Sequence, residues 1–196
     1  MSRKAGFPSF TKELEIMLKD LGIPEARLEI GHAGSEPGPD GMDEITLKFS
    51  ANKGVPPKPF REVASGGEFS RLMFCIKKLL ARSTALPTLV LDEIDTGISG
   101  EVAIKMARLM KEMSTHHQVI AITHLPQIAG YADAHFQVEK GVSEQRTTTR
   151  VRLLNTDDRV EELAVMLGMP SDGTRRSAQE IVAEAASTKS AGTWGA

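Results

Sequence analysis

The sequence predicts an α/β fold, and three observations carry that prediction. Thr88-Leu89-Val90-Leu91 and Val119-Ile120-Ala121-Ile122 are short apolar runs of the kind found in buried, central parallel strands. Between them Val102, Met106, Leu109, Met110 and Met113 recur at helical spacing, so a helix joins the two strands. Upstream, Ser65-Gly66-Gly67 opens a second amphipathic helix, with Phe69, Leu72, Met73, Ile76, Leu79 and Leu80 on one face. At 196 residues a single domain is the default, and the chain is long enough for a real core.

The remaining elements follow in chain order. Residues 11–21 read as a helix with Leu14, Met17, Leu18 and Leu21 on one face. Residues 27–30 and 44–49 read as strands, joined by a Gly/Pro/Asp-rich loop over 33–43. Residues 52–59 form a Pro/Gly linker to the Ser-Gly-Gly loop. Beyond the second apolar strand, a short helix is expected over 126–131 and strands over 134–138 and 147–153. The last strand alternates Thr147, Thr149, Val151 and Leu153 with Arg146, Thr148, Arg150 and Arg152, so one face meets solvent or charge. Its arginines read as a solvated edge, with a nucleic-acid-facing strip as the alternative. Residues 159–167 and 175–186 read as helices, and 187–196 as a small, polar, disordered tail.

Composition narrows the function classes. The net charge of −2 carries no strong basic field for nucleic acid. The single cysteine, Cys75, excludes an internal disulfide and fits a reducing compartment; with no base placed near it in sequence, it reads as core rather than nucleophile. The apolar runs are too short to span a bilayer, and the N-terminus lacks a signal-type apolar region.

The chemistry concentrates in three places. The first apolar strand ends in Asp92-Glu93, the pattern of a Walker B strand. Such a pair can hold Mg²⁺ through water with its first acid and orient or deprotonate a nucleophilic water with its second. The Ser65-Gly66-Gly67-Glu68 loop lets backbone approach a ligand at a helix N-terminus, where free N–H groups and the dipole suit an anion such as phosphate. The plainer alternative is an N-cap, with Ser65 capping the helix. The second apolar strand ends at His124, where a γ-phosphate sensor would sit if the other two motifs bind nucleotide.

In this order the three motifs resemble one lobe of an ABC-type ATPase head. Pro56-Pro57-Lys58-Pro59, the string from Val63 to Glu68, the string from Asp92 to Gly100, and Thr123-His124-Leu125-Pro126-Gln127 resemble the bacterial RecN family, in the SMC-like branch of these ATPases. The likeness runs over residues 10–181. It implies a P-loop NTPase fold of ABC type: the C-terminal half of a head, a mainly parallel sheet flanked by helices, with an N-terminal hairpin. Residues 1–24 would be a helical stub of the coiled-coil arm, 25–186 the ATPase lobe, and 187–196 a disordered tail.

The resemblance also implies roles. Asp92 would hold Mg²⁺ through water, and Glu93 and His124 would act on the attacking water and γ-phosphate. Ser65, Gly66, Gly67 and Glu68 would close in trans over ATP, with Ser99 in the D-loop. Many D-loops carry Asp where Ser99 stands, so no cross-dimer carboxylate follows here; Ala64 and Glu68 favour an SMC-like head over a transporter cassette. No Gly-x-x-x-x-Gly-Lys-Ser/Thr string occurs, so the chain is expected to be a fragment whose partners are the N-terminal P-loop lobe of the same protein, a second head, and DNA through the full-length protein. Such a protein would act in double-strand-break repair and recombination in the bacterial cytoplasm, on the nucleoid. Another ABC or SMC-type ATPase and a non-hydrolysing docking lobe are the alternatives.

Overall fold

Helix α1 (Arg3–Asp20) begins the computed structural model, which describes residues 3–39, 41–62, 66–84, 86–92, 94–143 and 146–187. The chain divides into two compact units, Met1–Val102 with Ile120–Ile122, and Ala103–Val119 with Thr123–Ala196.

In the first unit, Leu14 and Leu18 of α1 and Leu21 just after it are fully buried at helical spacing. The helix packs against β1 (Arg27–Gly38) and α2 (Gly66–Ser83). Strands β1 and β2 (Gly41–Ser50) pair antiparallel, and the pairing corrects the loop expected over 33–43. Ala33 faces Glu44, Gly34 faces Asp43, and after an irregularity Gly38 faces Gly41. The ladder is made by backbone groups, so turn-forming composition does not stop it. The reversal is confined to its tip, where Gly41 has φ +104°. His32 Nε2 meets Asp43 Oδ1 at 2.7 Å across this ladder. Strand β3 (Lys58–Pro59) adds to β2, and a single turn of 3₁₀-helix follows at Phe60–Glu62.

Helix α2 buries Leu72, Phe74, Cys75, Lys78 and Ala81. Its expected apolar face is only partly used: Phe69 and Leu80 are exposed, and Phe69 stacks on Phe60 with ring centroids 4.7 Å apart. Burial pushes the Cys75 thiol up to about 12, and the Lys78 charge only partly opposes it. The thiol is therefore a protonated core group. Strand β4 (Thr88–Asp92) buries Leu89 and Leu91 and neighbours β5 (Gln118–Ile122).

The β4–β5 pair limits the expected parallel sheet to two strands, and the other two sheets among the described residues are antiparallel. Parallel neighbours need a crossover of a dozen or more residues. Helix α3 (Gly100–Met113) supplies one between β4 and β5, whereas β1 and β2, and β6 and β7, follow one another closely in the chain and pair antiparallel. The expected N-terminal hairpin is present as β1–β2.

In the second unit, α3 buries Ala103, Met106, Ala107, Met110 and Met113. After α4 (Pro126–Ala129), β6 (Phe136–Ser143) and β7 (Arg146–Leu153) pair antiparallel. Arg152 of β7 donates to Asp158 Oδ2 at 2.5 Å and to Gln137 Oε1 at 3.0 Å, in keeping with a solvated edge. Asn155 caps α5 (Thr156–Leu167) by accepting from Asp158 N at 2.8 Å. Leu163 and Ala164 of α5 form a core with Ala129 and with Ala178 of α6 (Asp172–Ser187). The remainder of the expected tail, residues 188–196, lies outside the described residues.

A polar frame supports this core. Arg159 of α5 donates to the carbonyls of Gly130 and Ala132 at 2.7 Å each and of Ala129 at 3.3 Å, which satisfies the C-terminal end of α4. Arg108 donates to Tyr131 Oη at 3.4 Å and to Glu184 Oε1 at 2.5 Å. The Arg108 bond, aided by Tyr131, holds the Glu184 carboxyl below its ordinary range. None of the described helices is long and apolar enough to cross a membrane.

Two predictions follow from the second unit. A Cβ on Gly130 would lie 2.3 Å from Ile181 Cγ2 and 3.0 Å from Pro126 O. Gly130→Ala should therefore destabilise by about 1–3 kcal/mol, and Ile181→Ala in the same chain should return part of the loss, as measured by urea denaturation. His135 has a pKa held below 6.5, first by burial and then by the Arg159 charge. The unfolded imidazole then binds protons more readily than the folded one, so this contribution to stability is whole above pH 6.5 and lost as pH falls through the folded value. The denaturation midpoint should drop between about pH 7 and about pH 5, with a shallower drop in His135→Gln.

Candidate functional site

The first turn of α2 and the segment after β4 come together within the first unit, and glycine makes that possible. A Cβ built on Gly67 would lie 3.0 Å from Thr96 O and 3.4 Å from Gly97 Cα. A Cβ on Gly97 would in turn lie 3.4 Å from Gly67 Cα. Backbone thus meets backbone, and a side chain at Gly67 would crowd the Thr96 carbonyl. Gly97 also needs its φ of +72°, a region that residues with a Cβ rarely adopt.

The segment after β4 is held from below. Ile94 and Ile98 are buried, Asp95 is 2% exposed, and Ile98 N donates to Asp95 O at 3.3 Å. Thr96, Gly97, Ser99 and Gly100 are left at the surface. The alternation of buried isoleucine with small exposed residues shapes a compact turn with an accessible outer side. Gly100, with φ +54°, then leads into α3.

Around this contact lie several of the expected site residues. Gly66 starts α2, is exposed, and a Cβ there would meet nothing within 4 Å among the described residues. The amides that open a helix lack intrahelical acceptors, so this end carries backbone donors. Asp92, the last residue of β4, is exposed, as is Ser99. Glu68 lines a cleft of about 250 Å³ with Arg71, Lys53, Asn52, Pro24 and Gly22. Ser65 and Glu93 lie outside the described residues. His124 is exposed and belongs to the second unit, in the turn that Leu125 N makes by donating to Thr123 Oγ1 at 3.0 Å.

Two requirements of a nucleotide and its metal can be tested against these residues. Open space at Gly66 and the tight seat of Gly67 fit a phosphate group approached by backbone. A lone exposed Asp92 suits a metal that keeps most of its water, as Mg²⁺ does. No cluster of three or more His, Cys, Asp or Glu that would hold a metal directly occurs among the described residues.

Sequence reasoning missed Arg71. It sits one helical turn after Gly67 on the same side of α2, and its Nη1 donates to Gly97 O at 3.5 Å. The Ser-Gly-Gly core drew attention to the loop, and nothing in a helical arginine marks a bond reaching across 26 residues.

No protein-family model matches the chain. Curated relatives do. The DNA repair protein RecN of Deinococcus radiodurans is 42% identical over 169 residues, which cover 85% of this chain and 30% of that protein. The RecN of Rickettsia conorii is 45% identical over 150 residues, covering 76% and 28%. That of Bacillus subtilis is 39% identical over 154 residues, covering 78% and 27%. The chain therefore spans about 30% of the length of the curated relatives it matches.

Solved structures share the fold. The Smc head of Pyrococcus yayanosii, with a coiled coil and joint, superposes with a TM-score of 0.57 at 23% identity, covering 82% of this chain and 29% of that one. A structure described under ATP-driven dimerisation and DNA-stimulated activation of SMC ATPases gives 0.55 at 17% identity, covering 85% and 96%. With 39–45% identity to these RecN relatives over 76–85% of its length, the chain belongs to the RecN family.

Proposed function

We propose that this chain is the C-terminal lobe of an SMC-like ATPase head that acts in DNA double-strand-break repair and recombination. The observation that carries the reading is the seating of Gly67 on the Thr96–Gly97 backbone, which sets a donor-rich helix end beside the turn that follows Asp92. Residues 1–24 would be the stub of a coiled-coil arm, 25–186 the lobe itself, and 187–196 a disordered tail. The RecN relatives, named as DNA repair proteins, support the setting, which would be the bacterial cytoplasm and nucleoid.

Open strand faces support a further lobe as partner. In the first unit Val90, Ile120 and Ile122 are 53%, 44% and 57% exposed on strands apolar enough for burial on both faces. In the second unit Phe136 stands opposite Leu153, and Val138 opposite Val151, with all four more than half exposed. A P-loop lobe supplied from elsewhere in the same protein would cover such faces. It would also provide the lysine and hydroxyl that nucleotide phosphates require and that no string in this chain offers.

The reaction would be hydrolysis of ATP to ADP and phosphate. Mg²⁺, held through water by Asp92, would supply positive charge against the phosphate oxygens. Glu93 would align the attacking water and take its proton, and His124 would donate toward the γ-phosphate. Ser65 and the Gly66 and Gly67 amides, with Glu68 beside them, would close over nucleotide held by a second head, so that binding joins two heads and hydrolysis parts them. Ser99 would lie at the same junction, and DNA would be engaged by the full-length protein.

Two measurements test this reading. The chain by itself should show negligible Mg²⁺-dependent ATP hydrolysis, and addition of the P-loop lobe should restore it; robust turnover by the chain alone, lost in Glu93→Gln, would overturn the split-head assignment. In the full-length protein, Glu93→Gln should slow hydrolysis by about 10²–10⁴-fold while ATP still binds and heads still associate, read by phosphate release and light scattering. Hydrolysis at the parent rate would remove Glu93 from the mechanism.

A further inference from the structure

Arg71 is incompletely committed in this structure. Its Nη1 makes a long bond, 3.5 Å, to Gly97 O, and its Nε is buried without a hydrogen-bond partner among the described residues. A buried guanidinium nitrogen without an acceptor is unfavourable, because it has given up water and gained nothing in return. The acceptor it reaches is the backbone of the turn on which Gly67 rests. On its other side Arg71 lines the cleft with Glu68 and Lys53.

Two pieces of the site meet here, and each is stiff on its own. The start of α2 is fixed by helical bonding, with Leu72 buried behind it. The turn after β4 is fixed by buried Ile94, Asp95 and Ile98. The Gly67–Gly97 contact between them is van der Waals contact, which resists approach but does not resist sliding. A directional bond from the same face of α2 to the same turn does resist sliding.

We infer that Arg71 is a positioning residue that locks the start of α2 to the turn after β4, so that nucleotide engaged at Gly66 and Gly67 sets the position of the acidic end of β4. This inference rests on the ATPase-head reading above. Arg71 touches neither nucleotide nor water in it; the residue acts through the Gly97 carbonyl. A displacement of α2 as it takes up a phosphate would pass through this bond to the turn and to Asp92, the end of β4.

The test uses the full-length protein that carries this stretch, comparing parent, Arg71→Gln, Arg71→Lys and Glu93→Gln. ATP turnover, thermal melting and amide hydrogen exchange are measured for each. Arg71→Gln should lose kcat by about ten- to a hundredfold, the range expected for a misplaced catalytic group, with KM for ATP and the melting temperature nearly unchanged. Amides of the first turn of α2 and of residues 94–98 should exchange faster together. Arg71→Lys, which keeps the charge and a donor but not the fork, should recover part of kcat. If Arg71→Gln melts early, Arg71→Lys carries the test, with intermediate kcat at the parent melting temperature as the supporting result. Parent-like kcat in Arg71→Gln, or loss of kcat only in proportion to unfolding, overturns the role of Arg71 provided that Glu93→Gln stalls the enzyme as expected. If instead the parent hydrolyses no ATP or Glu93→Gln changes nothing, the head reading has failed. The exchange data then decide the Arg71 contact alone: joint loosening of both segments upholds it and an unchanged pattern overturns it.

Discussion

The contact between Gly67 and Gly97 is the constraint on which the candidate site depends. A Cβ at Gly67 would crowd the Thr96 carbonyl at 3.0 Å, and Gly97 holds a backbone conformation in which a side chain is strained. The chemistry of the site is therefore set by what is missing from two residues. Because backbone reaches backbone, the donor end of α2 stands beside the turn that Asp92 leads into. The buried isoleucines at 94 and 98 make that turn a fixed platform rather than a loose connection.

A second constraint concerns the strands. Burying a Val, Leu, Ile or Phe side chain is worth about 1.5–3 kcal/mol, and an isolated two-stranded hairpin is marginal in water. The β6–β7 pair nevertheless presents Phe136, Val138, Val151 and Leu153 more than half exposed, and β5 presents Ile120 and Ile122. The RecN relatives are between three and four times longer than the stretch that matches them, at 27–30% coverage.

The second unit shows a different economy. Ala129, Ala164 and Ala178 meet around Leu163, and the larger Val160, Met166, Leu167 and Val182 pack against them. Small residues allow close helix approach, and larger ones close over the contact. The polar frame of Arg159 and of Arg108 with Tyr131 and Glu184 adds directional bonds around this packing. For half-buried His135, burial first and the Arg159 charge second hold the imidazole pKa below its ordinary value.

The sequence by itself determined what depends on neighbours in the chain. Helical spacing located α1, α2, α3, α5 and α6, and apolar runs located β4 and β5, because periodicity is a local property. It singled out Gly66, Gly67, Glu68, Asp92 and Ser99, which the structure gathers in one unit, and His124, which lies in the other; Ser65 and Glu93 fall outside the described residues. Tertiary structure alone decided what depends on partners far along the chain. The ladder continues past Ala33 because backbone bonds to β2 do not read turn composition. Arg71 reaches Gly97 across 26 residues, Arg159 reaches Gly130 across 29, and Gly130 is required by Ile181 of a later helix. None of these pairings leaves a periodic mark, because a contact between distant segments fixes their separation in space and not their spacing in sequence.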